Sequence, residues 1–209
     1  MPPGKVICVG LNYLDHAAEA GAEVPTTPIC FAKWPNSLIG HGDPIRRPSF
    51  TDELDYEAEL AVVIGRSGAD IAEADALDHV AGYACFNDVT DRAVQRAESQ
   101  WTRSKSFDTF GPMGPVVPAA DVGDPQTLAI RCLVNGEVVQ ASSTAKMIFS
   151  VASIIAHIST STTLEPGDII ATGTPAGIGL THVPPRFLVP GDEVTVDIER
   201  IGVLSNPVV

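Results

Sequence analysis

The chain has 209 residues, 44% hydrophobic and 19% charged, which is enough for one sizeable core and far from the composition of a disordered chain. Its formal net charge of −13 argues against nucleic-acid binding, which needs clustered Lys and Arg, and no apolar run approaches membrane-spanning length. Cys8, Cys30, Cys85 and Cys132 lie far apart in apolar runs, so they read as free, buried thiols in a reducing compartment; with no secretory leader the expected location is cytoplasmic.

Lys5–Gly10 reads as a buried strand entered almost at the first residue, so longer relatives are expected to carry an N-terminal extension that this chain lacks. Asn12 is expected to cap a short helix that Gly21 stops, with His16 and Glu19 on one face at i and i+3. Pro28–Trp34 is a second strand, and Pro44–Pro48 is a loop with basic residues. Leu54–Ile64 then alternates strictly: Leu54, Tyr56, Ala58, Leu60, Val62 and Ile64 make one apolar face. The opposite face opens with Asp55, Glu57 and Glu59. Asp70 and Glu73 suggest a capping box for a helix running to about His79. Val80–Phe86 is a strand that delivers Asn87-Asp88, Thr90–Ser99 reads as helix, and Ser104–Pro115 as a Gly- and Pro-punctuated loop. Thr127–Val134 and Glu137–Ala141 make a hairpin about Asn135-Gly136. Met147–Ile158 has the strongest helical period, Ile169–Thr172 is a strand, and Glu193–Ile198 is the last. Many short strands and few helices predict a single domain over 1–209, mainly β with a few short helices (α+β) and of sheet-and-roll type.

Three acids on one strand face repel one another and stay ionised only in water or around a cation. Two readings follow: an ordinary solvated face, or a metal site in which Glu57 and Glu59 aim hard oxygen ligands. Asp88 would complete an all-oxygen set, which suits Mg, Mn or Ca and leaves positions open for water or a chelating substrate, although spacing alone does not bring Asp88 to the glutamates. His16 and Glu19 could be a base and its orienting carboxylate or a surface pair, and spacing favours the surface pair. His41, His79, His157 and His182 carry no signal beyond loops, helix ends and a polar helix face. Gly173–Gly179 fits neither phosphate-loop nor dinucleotide patterns and reads as a tight turn whose backbone amides approach a ligand. Ser143-Thr144-Ala145-Lys146 matches Ser-x-x-Lys by chance, since the companion elements are absent.

Seven collinear segments together resemble the fumarylacetoacetate hydrolase family over essentially the whole chain. They are Val9–Glu19, Phe31–Lys33, Asp55–Leu60, Gly82–Thr90, Lys105–Pro112, Met147–Ser150 and Pro166–Gly177. The resemblance implies a mixed β-roll of that family's C-terminal domain type and a Mg or Mn ion on Glu57, Glu59 and Asp88. It also implies catalytic roles for His16, Glu19 and Lys105, with His16 and Glu19 on a lid helix that activates water. Lys105 and Thr109 would lie beside the metal, and Gln95, Thr109, Gly173 and Thr174 would serve the substrate. Family members are commonly homodimers acting on short 2-oxo and 1,3-diketo acids by C–C hydrolysis, decarboxylation or isomerisation. Where the family usually continues Ala-Arg-Asp after Asn87-Asp88-Val89-Thr90, this chain has Asp91-Arg92-Ala93, which displaces an acid near the substrate side. The tail from Pro184 through Gly202 resembles the branch often labelled hydroxyheptadienedioate isomerases.

Overall fold

The computed structural model describes residues 3–209, and the short apolar runs become strands of two main sheets. The six-stranded sheet has the order β2 (Ile29–Lys33), β1 (Val6–Gly10), β12 (Ile169–Ala171), β5 (Ala58–Ile64), β6 (Val80–Asn87) and β9 (Val117–Pro118). β1 and β12 run parallel, and every other neighbour pair is antiparallel. The four-stranded sheet is antiparallel, in the order β11 (Glu137–Ser143), β10 (Ala129–Val134), β13 (Glu193–Ile198) and β14 (Gly202–Pro207). Two short pairs stitch the edges: β3 (Leu38–Ile39) with β8 (Gly111–Pro112), and β4 (Leu54–Asp55) with β7 (Thr90–Asp91). The helices are short: α1 (Leu14–Glu19), α2 (Arg92–Ala97), α3 (Thr102–Lys105), α4 (Ala119–Val122) and α5 (Val151–Ser159). A mainly β fold with few short helices is thus what forms, and among the described residues no helix is long and apolar enough to cross a membrane.

Strand alternation sorts the core into two layers. Leu60, Val62 and Ile64 of β5 join Ile130, Val194 and Val196 of the other sheet in the main cluster. α5 covers that cluster with Val151, Ile154, Ile155 and Ile158, each contributing roughly 1.5–3 kcal/mol on burial. The opposite face of the same strands carries a second cluster of smaller side chains, including Cys8, Ala61, Ala84 and Ala171. Both faces of the six-stranded sheet are therefore covered. A solvated acidic face on β5 is excluded, and Asp55, Glu57 and Glu59 are all buried.

Several local expectations are corrected. The strand expected over Leu54–Ile64 breaks at Tyr56-Glu57, where the chain leaves its pairing with β7 and joins β6. Tyr13, not Asn12, is the N-cap residue of α1, because the Asn12 amide is used in tertiary bonds to Phe149 O (3.1 Å) and Thr172 O (2.8 Å). Asp70 stands at φ 50 with its amide on Ser159 O, so no capping box forms; Glu73–His79 is a 3₁₀ segment behind Ala72. The helix expected over Thr90–Ser99 covers only Arg92–Ala97, because Thr90-Asp91 pairs as strand and the Asp91 carboxylate caps the helix by accepting from Val94 N at 3.0 Å. Lys105 ends a helical turn, not an open loop. α5 starts at Val151 behind the Ser150 cap, and Met147 instead bridges to Tyr13. Cys30, on edge strand β2, is exposed; the other three thiols are buried. β14 follows the strand expected to be last.

Candidate active site

The break in the acidic strand builds the site. At Tyr56-Glu57 the backbone is held by Asn87 Oδ1, which accepts from Glu57 N at 3.0 Å, and by Asp88 N, which donates to Glu57 O at 2.9 Å. These bonds bring Asp88, just past the end of β6, against the two glutamates. Carboxylate oxygens of Glu57, Glu59 and Asp88 all lie within 4.8 Å of one another, and all three side chains are buried. The chosen trio is brought together. Asp55, expected on the same face, is turned away: its oxygens accept from Gly179 N (2.7 Å), Leu180 N (3.0 Å) and Arg92 Nε (2.8 Å).

Three buried cations face these acids. Lys105 Nζ reaches Glu57 Oε2 at 2.9 Å and Asp88 Oδ2 at 2.7 Å, and it also donates to Thr90 Oγ1 at 2.9 Å. Lys33 Nζ lies 2.6 Å from Asp88 Oδ1, and Arg92 Nη2 lies 2.7 Å from Glu57 Oε1. Burial alone would raise the Glu57 carboxyl, but Lys105 and Arg92 outweigh it and hold it at about 2. Burial likewise favours neutral Lys105, yet Asp88 and Glu57 push it above its ordinary range, so it stays charged. Glu59 is the exception. Among the described residues it has no cation partner and accepts only Gly173 N (2.8 Å), and burial together with the Asp88 and Glu57 charges pushes its carboxyl well up. Four buried acids, Asp55, Glu57, Glu59 and Asp88, meet three buried cations, Lys33, Arg92 and Lys105. The oxygen-only trio thus lacks positive charge at Glu59, and a hard divalent ion fits that deficit and that donor set.

Glu57 and Glu59 open into a cavity of ≈ 740 Å³ lined also by His16, Glu19, Gln95, Trp101, Lys105, Thr174 and Leu180, with Asp88 buried outside its lining. His16 Nδ1 faces Glu19 Oε2 at 3.4 Å, with side-chain exposures of 13% and 24%, so the surface-pair reading that spacing favours is replaced by a pair on a cavity wall. Thr174 Oγ1 accepts from Gln140 Nε2 at 2.9 Å, which leaves its own hydroxyl proton to donate into the cavity. Gln95 Oε1 accepts from Arg92 Nη1 at 3.0 Å, so its amide NH₂ remains a donor. Thr109 and Gly173 are not in this lining. Thr109 Oγ1 accepts from Arg46 N, and the Gly173 amide is bound to Glu59. The glycine turn therefore serves the protein's own carboxylates. Gly177 N donates to both Glu19 oxygens at 3.0 and 3.1 Å, and position 173 requires glycine because it stands at φ 95 and a Cβ there would lie 2.8 Å from Asn12 Cβ.

Lys33, Arg92 and Gln140 are the site residues that the sequence alone did not single out. The available signal was charge: Lys33 ends an otherwise apolar strand, and three crowded acids need buried cations. The Asp91 displaced in the departing Asp91-Arg92-Ala93 segment is the cap of α2 and is buried away from the cavity lining.

The model of the fumarylacetoacetate (FAA) hydrolase C-terminal family matches residues 5–209. A mitochondrial oxaloacetate tautomerase of Xenopus laevis is 49% identical over 99% of this chain and 66% of its own length, so this chain spans just under two thirds of that relative. The crystal structure of 2-hydroxyhepta-2,4-diene-1,7-dioate isomerase from Mycobacterium marinum is 42% identical, with a TM-score of 0.88 over 100% of this chain and 75% of that one. Fumarylpyruvate hydrolase from Pseudomonas aeruginosa, in complex with Mn2+ and pyruvate, is 35% identical, with a TM-score of 0.91 over 100% of this chain and 90% of that one. By sequence, by fold and by the family model alike, this chain belongs to the fumarylacetoacetate hydrolase C-terminal family, whose named relatives are enzymes.

Proposed function

We propose that the chain is a divalent-metal-dependent enzyme that acts on short 2-oxo and 1,3-diketo acids by C–C bond hydrolysis or decarboxylation. The observation that carries this reading is one cavity lined by Glu57 and Glu59 of an all-oxygen carboxylate trio and by a His–Glu pair. Mg or Mn held by Glu57, Glu59 and Asp88 would supply Lewis-acid stabilisation of the enolate charge that such reactions develop. Glu19 facing Nδ1 favours the tautomer with its proton there, which leaves His16 Nε2 to take a proton from water. Thr181 Oγ1 (2.7 Å) and Gly177 N fix Glu19 in turn. Lys105 contributes a fixed positive charge beside the reacting end, and the Thr174 hydroxyl a neutral donor. Apolar lining from Ile29, Phe31, Trp101 and Ile178 limits water.

A second reading, keto–enol or double-bond isomerisation, uses the same proton-moving pair without a hydrolytic step. The relatives named as a tautomerase and an isomerase favour it. Oxaloacetate, acetylpyruvate and fumarylpyruvate incubated with Mg, with Mn and with chelator separate the readings by product. Metal-dependent pyruvate formation is expected, with oxalate as a competitive inhibitor and with Glu59→Gln inactive on every substrate. Interconversion of tautomers without bond cleavage would select the second reading, and no metal-dependent change in any substrate would sink both.

A further inference from the structure

Helix α2 places Arg92, Gln95 and Arg96 at i, i+3 and i+4, and all three line the cavity. The three are not equivalent. Arg92 is buried against Glu57 and Asp55, and Gln95 is oriented by Arg92. Arg96 lies about 6 Å farther along the helix axis than Arg92, at a rise of about 1.5 Å per residue. Its side chain is 53% exposed. Glu53 holds it through Nη2 alone, at 2.8 and 2.6 Å, and Nε and Nη1 donate to no group among the described residues. Glu53 is itself fixed to the start of α2, because its carbonyl accepts from Arg92 N at 3.0 Å. The other cations of the lining, Arg92 and Lys105, are both paired with acids of the site. Arg96 is thus the lining cation with donors to offer.

A substrate chelated by its 2-oxo acid end leaves its other end pointing along the cavity. If that end is a second carboxylate, it enters a protein of net charge −13 and needs a local cation. A guanidinium offers two parallel donors for that group. We propose that Arg96, one helical turn along α2 from the Arg92 that holds Glu57, reads the distal carboxylate of 2-oxo diacids and so separates dianionic from monoanionic substrates. The inference rests on the 2-oxo acid reading above and names the residue that sets its specificity. Glu53 acts as a positioning residue, steadying one edge of the guanidinium.

Fumarylpyruvate and acetylpyruvate make a matched pair, since both release pyruvate at the same bond and only the first carries a distal carboxylate. Arg96→Gln should raise the KM ratio of fumarylpyruvate to acetylpyruvate by on the order of ten- to a hundred-fold, the range for losing hydrogen bonds to a charged group. Arg96→Lys should fall between the variant and the wild type. An unchanged ratio, or equal losses on both compounds, overturns the proposal. Calorimetric titration of both compounds into the Mg-loaded protein needs no turnover. It tests Arg96 by the same ratio even if neither compound is cleaved, an outcome that would count against the proposed reaction alone.

Discussion

At the carboxylate cluster every charge is buried and nearly every charge is held by another, whereas His16 and Glu19 ride on a six-residue helix and meet at 3.4 Å. The cluster is anchored in strands β5, β6 and β2, and α3 supplies Lys105. Helix α1 hangs from tertiary tethers. Asp15 accepts from Ser142 Oγ (2.5 Å) and Lys146 Nζ (3.2 Å) near one end, and Glu19 reaches Gly177 and Thr181 at the other. Rigid burial suits groups that must hold a cation in one geometry, and looser attachment suits a base that must admit substrate and water. The two regions should therefore respond differently to mutation: damage to the cluster should appear in folding as well as activity, and damage to α1 in activity almost alone.

Arg92→Met should be the most damaging change. It leaves Asp55 and Glu57 buried without their guanidinium, and removing one partner of a buried pair costs about 3–5 kcal/mol. A melting temperature lower by on the order of 10 °C in a scanning calorimeter is the expected result for a domain of this size. A shift of only a degree or two would mean that Gly179 N and Leu180 N suffice for Asp55. His16→Ala comes next: hydrolysis of a diketo acid should drop by roughly a hundred-fold or more, the usual worth of a positioned base, while decarboxylation of oxaloacetate falls less and thermal stability stays put. Equal loss in both reactions would erase the distinction between a metal centre and a separate base.

The smallest effect is expected at Asp15. Burial raises its carboxyl, but the Ser142 and Lys146 bonds prevail and lower it below its ordinary value. A folded-state value below the unfolded one means stability that is present above the unfolded pKa, near 4, and lost as pH falls through the folded value. The stability gap between wild type and Asp15→Asn should thus be a fraction of about 1 kcal/mol at neutral pH, as for a partly exposed pair, and should close below about pH 4. A gap that persists unchanged into acid would mean that the charge on Asp15 does not matter to α1.

The same contrast governs what was legible in the sequence. Glu57 and Glu59 announced themselves because a run of acids inside an apolar strand is locally costly, and Asp88 because a polar residue at a strand's end is well placed. Of the partners, Lys105 came only through the family resemblance, and Lys33 and Arg92 were not legible. Lys33 and Lys105 meet Asp88 across 55 and 17 residues of chain, so the neutralising pairs exist only after the strands assemble. Asp55 was grouped with the glutamates because strict alternation puts all three on one face, and the backbone break at Tyr56-Glu57 sends it to Arg92 instead. Asn12 looked like a local cap, but its amide closes bonds to Phe149 and Thr172, residues that become neighbours only in the finished fold. Most of the main strands were readable, because alternation and turn residues are local signals, whereas β14, the break at Tyr56-Glu57 and helix starts set by tertiary bonds were not.

The turn from Gly173 to Leu180 deserves to be seen as a wiring harness. Its backbone amides terminate on Glu59, Glu19 and Asp55, three acids that belong respectively to the proposed cation site, the proposed base pair on α1 and the anchor of Arg92. None of these bonds depends on a side chain of the turn, but the path itself requires glycine: a Cβ would lie 2.8 Å from Asn12 Cβ at Gly173, 2.2 Å from Val139 O at Gly177 and 2.2 Å from Arg186 O at Gly179. A single inserted or deleted residue would slip every downstream amide at once and detune all three acids together. Length, together with glycine at 173, 177 and 179, is the property of this segment that the site cannot do without.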